Sequence, residues 1–333
     1  MKRIKGLDTL RFICALIVVF GHFGFPFVEA IFLNNNGYFR LIGTAISLVF
    51  NGPAAVIVFF IISGFCINYP LTERNQKLNL YTFYIRRLTR IILPAAFSVF
   101  LYILLKVELK PPLYGTLWSI LCEIIYYILY PFFFYLRKRV SWGVISIPFF
   151  ILAFILPLLN KDLMLSGNNS YVSLGYLTWL IGLPCWLLGC WLSENYHRFS
   201  YLGVKRIWLV RLFVIFFIFI LRVIKFHVFN IFAGNCYTLN FFSLLAVVWV
   251  GYEIAYFQKH NPPKSLESFG KWSYSLYLMH PLALSLIILS NKLFTIRIDY
   301  QFFLLLTSII ISYIFYILVE NPSHKFSKYL SKF

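Results

Sequence analysis

Charged residues are scarce in this sequence, and several patterns typical of soluble enzymes are missing. Only 12% of the 333 residues are charged, and there is no Gly-rich phosphate loop, internal repeat or heptad run. The six cysteines include no C-x-x-C pair, so neither a disulfide framework nor a zinc site is suggested. No hydrophilic segment is large enough for a separate soluble domain. The sequence therefore gives no sign of a phosphate-loop, repeat or disulfide-stabilised fold.

Apolar residues dominate the composition. Hydrophobic residues make up 61% of the chain, aromatic residues make up 21%, and the mean hydropathy is +0.80. Apolar stretches of about twenty residues, the length that crosses a bilayer, recur ten times. We predict an all-α, polytopic integral membrane protein with about ten transmembrane helices in one membrane-embedded domain over residues 1–333. The predicted spans are Leu7–Phe32, Ser47–Tyr69, Arg87–Val107, Leu113–Leu136, Ser141–Leu159, Tyr171–Leu192, Ile207–Phe226, Cys236–Phe257, Trp272–Ser290 and Tyr300–Val319.

The basic residues are distributed unevenly between the predicted loops. Lys and Arg number 30 against 11 Asp and Glu, which gives a net charge of +19. With the N-terminus in the cytoplasm, 21 of them fall on the cytoplasmic side, eight fall on the opposite side and Arg11 lies inside the first span. This positive-inside bias places both termini in the cytoplasm. The positive-inside rule therefore explains the positive charge, with the lipid bilayer as the partner. Nucleic acid binding is not implied.

The first span carries an unusual line of ionisable side chains. Asp8, Arg11, His22 and Glu29 interrupt an otherwise apolar run. In a helix, positions 11 and 22 lie on nearly the same face and about 16 Å apart along the axis. A charged group at membrane depth costs about 3 kcal/mol or more, so such a line indicates function. His22 is a candidate general base, acyl-accepting nucleophile or proton-relay residue; the alternative is a structural hydrogen bond to a neighbouring helix.

Further polar candidates occur in later spans. Arg86, Arg87 and Arg90 cluster at the cytoplasmic start of the third span, where an Arg-x-x-Arg pair can bind phosphate oxygens, although the positive-inside rule also explains basic residues there.

Three more candidates are single polar residues in apolar spans. Ser63 precedes Gly64 in the second span, and either a functional or a packing role is open. Glu123 lies deep in the fourth span, and its partner could be Arg11 or the arginines of the third span. His280 precedes Pro281 in the ninth span, where a hydrogen-bonding role competes with a direct one.

Taken in order, these motifs resemble the acyltransferase-3 family of integral membrane O-acyltransferases. The matching features are GLDTLRF, Arg11-x10-His22, FFIISGF around Ser63, the Arg87 and Arg90 pair, Trp118-Ser119-x3-Glu123-x2-Tyr126-Tyr127, and SYSLYLMHP before the last span. In length and motif order the chain most resembles the stand-alone O-antigen acetyltransferases of enteric bacteria and their serotype-converting phages. Two departures are the single Glu123, where many members carry two adjacent acidic residues, and the variant ending VENPSHKF.

The resemblance implies an enzyme of the bacterial inner membrane that modifies lipopolysaccharide O-antigen. The acyl donor would be cytoplasmic acetyl-CoA, used as a co-substrate with no permanently bound cofactor and no metal. His22 and Arg11 would be catalytic, Arg86, Arg87 and Arg90 would bind the donor, and Asp8, Ser63, Glu123 and His280 would support the site. The main alternative is a transporter or flippase of a glycan or acyl precursor, but the paired repeats or broken helices typical of transporters are not found. A pure scaffold protein would leave the buried ionisable residues unexplained.

Overall fold

A computed structural model describes residues 4–24, 37–74, 78–105, 114–167, 170–228, 231–293 and 300–331. Over these ranges the chain is 90% helical and contains no strand, so the all-α prediction is confirmed. Eight helical segments are long and apolar enough to cross a membrane. The chain is therefore a multi-pass membrane protein.

The α-helices of the described ranges are numbered here in chain order. They are α1 Leu7–Phe23, α2 Gly37–Val49, α3 Gly52–Arg74, α4 Leu80–Leu104, α5 Tyr114–Leu136, α6 Trp142–Leu159, α7 Lys161–Ser166, α8 Thr178–Asn195, α9 Val204–His227, α10 Asn235–Lys259, α11 Lys264–Phe269, α12 Ser273–Leu293, α13 Tyr300–Phe315 and α14 Asn321–Leu330. Short 3₁₀ turns occur at Tyr171–Leu177, Tyr196–Arg198, Ile231–Ala233 and Gly270–Trp272, and a π-helical turn at Tyr316–Glu320.

Eight of the ten predicted spans overlap one of the eight membrane-length segments. The first and ninth predicted spans are also helical, as α1 and α12. Helix α1 has 17 residues and ends at Phe23, whereas the predicted span continued to Phe32. The end of that span, with Glu29, lies outside the described residues.

The chain divides into two compact units. The first unit comprises Met1–Cys14, Pro53–Asn79 and Trp118–Gly270; the second comprises Ala15–Gly52, Leu80–Leu117 and Lys271–Phe333. The boundary falls inside α1, so Arg11 belongs to the first unit and His22 to the second.

Helix α8 is the most buried element of the first unit. It packs against α6 and α10, and most of its residues are inaccessible. Gly64 of α3 and Gly189 of α8 allow these two helices to approach closely, because a Cβ on Gly64 would clash with the Trp186 carbonyl and one on Gly189 with the Ile61 carbonyl. Packing of small residues of this kind is how helices associate tightly in membranes. Gly64 is thus a packing residue, next to the candidate Ser63.

The second unit is built around α4, α12, α13 and α14. Helix α12 packs along α13, and α14 packs on α4. The Tyr102 hydroxyl donates to the Leu278 carbonyl, and the Tyr274 hydroxyl donates to the Ile91 carbonyl at 3.0 Å. These bonds tie α4 to α12, the helices that carry the three arginines and His280.

Candidate active site

The start of α1 is held by a distant carboxylate. Glu267 of α11 accepts hydrogen bonds from the backbone N–H groups of Gly6 (3.3 Å) and Thr9 (3.2 Å) and from the Thr9 hydroxyl (2.8 Å). The first N–H groups of a helix have no intrahelical acceptor, so a carboxylate at this end stabilises it both by hydrogen bonding and through the helix dipole. Glu267 therefore fixes the turn from which Asp8 and Arg11 project.

Asp8 and Arg11 form an ion pair one helical turn apart. Arg11 Nη1 lies 3.2 Å from Asp8 Oδ1, with the Asp8 side chain 3% exposed and the Arg11 side chain 26% exposed. The spacing of three residues puts both side chains on one face of α1. Pairing offsets part of the cost of placing each charge among apolar side chains.

Ser63 and Glu123 meet in a second polar cluster of the same unit. The Ser63 hydroxyl donates to Glu123 Oε1, and the Tyr127 hydroxyl donates to the same oxygen at 2.5 Å. Trp186 Nε1 donates to Ser63 Oγ at 3.2 Å. Three helices, α3, α5 and α8, thus contribute to one hydrogen-bonded group. We name it the Glu123 cluster: Ser63, Glu123, Tyr127 and Trp186.

The two groups of the first unit are electrostatically connected. The carboxylates of Asp8 and Glu123 both act electrostatically on Arg11. The sequence left open whether Glu123 pairs with Arg11 or with the arginines of the third predicted span. Within the first unit, Glu123 is hydrogen-bonded to Ser63 and Tyr127 and lies in the field of Arg11.

In the second unit, His22 and His280 lie side by side. Their ring centroids are 5.2 Å apart with the planes at 65°. His22 is exposed in the last turn of α1, whereas His280 is fully buried in α12. His280 Nδ1 lies 3.2 Å from the Leu276 carbonyl oxygen. The structure thus brings together two of the histidines predicted from sequence.

The three predicted donor-binding arginines lie on α4, and two of them contact α14 or the residue that follows it. Arg86 Nε donates to Ser331 Oγ at 2.7 Å, and Arg90 Nε donates to His324 Nε2 at 2.8 Å. Arg86 and Arg90 are exposed, and Arg87 is half-buried. This places two guanidinium groups at the protein surface, where an anion can reach them.

A buried carboxylate near His324 was not assigned from the sequence. Glu320, 2% exposed, accepts hydrogen bonds from the backbone N–H (3.1 Å) and the hydroxyl (2.5 Å) of Ser275. Its other oxygen lies 3.6 Å from His324 Nε2, the atom that accepts from Arg90. Glu320 ends the π-helical turn, a feature frequent at functional sites. The available signal was an acidic residue directly after an apolar span, within VENPSHKF.

Among the residues that the structure describes, no group of three or more His, Cys, Asp or Glu side chains is placed to hold a metal ion. What the arrangement offers is acid–base and ionic chemistry. The first unit has an Arg11–Asp8 ion pair and the Glu123 cluster, and the second unit has two adjacent imidazoles and exposed guanidinium groups on α4.

Comparison with known proteins identifies the class. Residues 4–317 match the acyltransferase-3 family, described as an acyltransferase domain, and the chain belongs to this family. It is therefore a multi-pass membrane protein of this family. Family membership favours the enzyme over the transporter alternative.

Among curated proteins the chain is similar to the O-acetyltransferase OatA of Staphylococcus aureus. For strains NCTC 8325 and COL the identity is 24% over 326 residues, covering 84% of this chain and 50% of OatA. The chain thus spans about half the length of the curated relatives it matches. No solved structure matches it.

Proposed function

We propose that this protein is an inner-membrane O-acetyltransferase that moves an acetyl group from cytoplasmic acetyl-CoA to a hydroxyl of a surface glycan, with lipopolysaccharide O-antigen as the expected acceptor. The family match over residues 4–317 is the observation that carries the proposal. The acetyl group is supported by the name of the relative OatA, an O-acetyltransferase. The O-antigen acceptor rests on the resemblance in motif order described above.

The arginines of α4 are proposed to bind the donor. Acetyl-CoA carries several phosphates, and a guanidinium group pairs with phosphate through two parallel hydrogen bonds. Arg86 and Arg90 are exposed and anchored through Nε to Ser331 and His324. A side chain that is already fixed loses less conformational freedom when a ligand binds.

His22 is proposed to perform the transfer. As a general base, it takes the proton of the sugar hydroxyl while that oxygen forms a bond to the acetyl carbon; the C–S bond breaks, and the proton passes to the CoA thiolate. As a nucleophile, it forms an N–acetyl bond while the C–S bond breaks and CoA leaves as the thiolate. The sugar oxygen then bonds to the acetyl carbon as the N–acetyl bond breaks, and the proton that the hydroxyl loses balances the one that the thiolate takes up. Both routes give one ester and one free thiol.

Arg11 is proposed to stabilise negative charge on the acyl donor. It lies eleven residues before His22 on the same helix, about 16 Å along the axis. Asp8 and the Glu123 cluster would hold the Arg11 guanidinium in place, since both interact with it electrostatically. Ser63 acts in this scheme by orienting Glu123.

The proposal is tested on the glycan itself. Mass spectrometry of surface polysaccharide from cells with and without the gene should show acetyl esters only when the protein is present. His22→Ala should abolish them, while His227→Ala, a change of an exposed histidine at the end of α9, should leave them intact. Wild-type ester levels in the His22→Ala strain would refute the assignment of His22.

The donor site is tested by binding. The double variant Arg87→Ala, Arg90→Ala, purified in detergent, should lose affinity for acetyl-CoA by about tenfold or more, since each lost contact to a charged group is worth about 1.5–3 kcal/mol. Lys138→Ala, Arg139→Ala is the matched control, because it removes two basic residues from the turn after α5. Equal affinity of the two double variants would contradict the donor-site proposal.

A further inference from the structure

The His280 ring has a defined protonation pattern. Its Nδ1 lies 3.2 Å from the Leu276 carbonyl oxygen, which can only accept, so Nδ1 carries the hydrogen. In a neutral imidazole the other nitrogen, Nε2, then carries a lone pair. His280 is therefore a hydrogen-bond acceptor at Nε2.

This acceptor is buried and unused by the described part of the protein. His280 is 0% exposed, and Nε2 has no hydrogen-bond partner among the residues that the structure describes. Buried polar atoms without a partner are rare in folded proteins and call for an explanation. The neighbouring imidazole of His22 supplies one.

His22 is within reach of that acceptor. With ring centroids 5.2 Å apart, one nitrogen of each ring can come within an ordinary hydrogen-bond length of about 3 Å. The rings are inclined at 65° to each other, in an edge-to-face arrangement, and His22 lies at the exposed end of the pair. Phe23 and Tyr277 enclose His280, with ring centroids 5.6 and 6.1 Å from it, so the acceptor stays in place.

We propose that His280 is a positioning residue for His22: its Nε2 accepts the N–H of the His22 imidazole and leaves the opposite nitrogen of His22 as the reactive atom. This inference rests on the proposed function of His22. When the reactive nitrogen takes up a proton or an acetyl group, the opposite N–H becomes more acidic, and its bond to His280 strengthens. An interaction that strengthens toward the transition state raises kcat rather than affinity. A neutral acceptor does this without placing a permanent negative charge in the membrane.

Two variants of His280 separate this role from packing. Asn places its amide near the position of Nδ1, so His280→Asn keeps a donor for the Leu276 carbonyl and loses the acceptor. Gln reaches the position of Nε2, so His280→Gln keeps an acceptor there. In membrane vesicles supplied with radiolabelled acetyl-CoA, His280→Asn should lower kcat about tenfold, the value of one hydrogen bond to a charged group, with an unchanged KM for acetyl-CoA. His280→Gln should recover most of that loss.

A second measurement needs no acetyl transfer. Diethyl pyrocarbonate reacts with the unprotonated imidazole nitrogen, and peptide mass spectrometry gives the rate at each histidine. The rate at His22 should fall severalfold in His280→Asn and return in His280→Gln, while exposed His227 serves as the internal reference. Equal effects of the two substitutions, or an unchanged His22 rate in His280→Asn, would overturn the inference. If wild-type membranes transfer no acetyl group, the proposed function fails, and the carbethoxylation rates still decide the role of His280.

Discussion

Replacing Glu123 with Gln tests whether the polar groups of the first unit form one network. Gln has nearly the same shape as Glu and removes only the charge. Ser63 and Tyr127 both donate to Glu123 Oε1, and Arg11 interacts with Glu123 electrostatically. The substitution therefore weakens two hydrogen bonds and one charge interaction without creating a cavity.

The expected loss of stability follows from these contacts. A hydrogen bond to a charged group is worth about 1.5–3 kcal/mol and one between neutral groups about 0.5–1.5 kcal/mol, so two weakened bonds lose about 2 kcal/mol. Removing the attraction to Arg11 brings the expected loss to about 2–4 kcal/mol. This corresponds to a fall in Tm of roughly 5–15 °C.

The measurement is thermal denaturation in detergent, followed by tryptophan fluorescence, together with acetyl transfer in vesicles. Glu123→Gln should lose both stability and activity. Glu253→Gln, which breaks the Arg211 pair (2.7 and 2.8 Å) in the same unit, should lose stability alone. A double-mutant cycle of Arg11→Gln with Glu123→Gln should give a coupling energy above about 0.5 kcal/mol. Simple additivity of the two changes would refute the connection between them.

Two further changes probe the second unit and the helix packing. Glu320→Gln should weaken the two hydrogen bonds that Glu320 accepts from Ser275 and lower stability by about 1–2 kcal/mol in thermal denaturation; an unchanged Tm contradicts it. Gly189→Ala should lower stability by about 1–3 kcal/mol in thermal denaturation, because the new Cβ clashes with the Ile61 carbonyl. Gly143→Ala, where the nearest atom is 3.8 Å away, should change little.

The family motifs and the hydropathy pattern were the most informative features of the sequence. Hydropathy predicted the helical membrane architecture because a bilayer allows few other solutions for an apolar chain. Helical spacing brought out Asp8 and Arg11, which the structure pairs at 3.2 Å. The roles of His22, Arg86, Arg87 and Arg90 remain predictions for the experiments above.

Local patterns, however, do not say which helices touch. Ser63 and Glu123 are 60 residues apart, and Arg90 and His324 are 234 residues apart. Sequence periodicity alone does not predict either contact, so Glu320 and His324 were left without a role. The sequence by itself determined that helices form, that they cross a membrane and which of them carry costly polar groups, because burial and backbone hydrogen bonding in lipid are local requirements. Only the tertiary structure decided the partners of those polar groups, because each partnership depends on how side chains of different helices pack together.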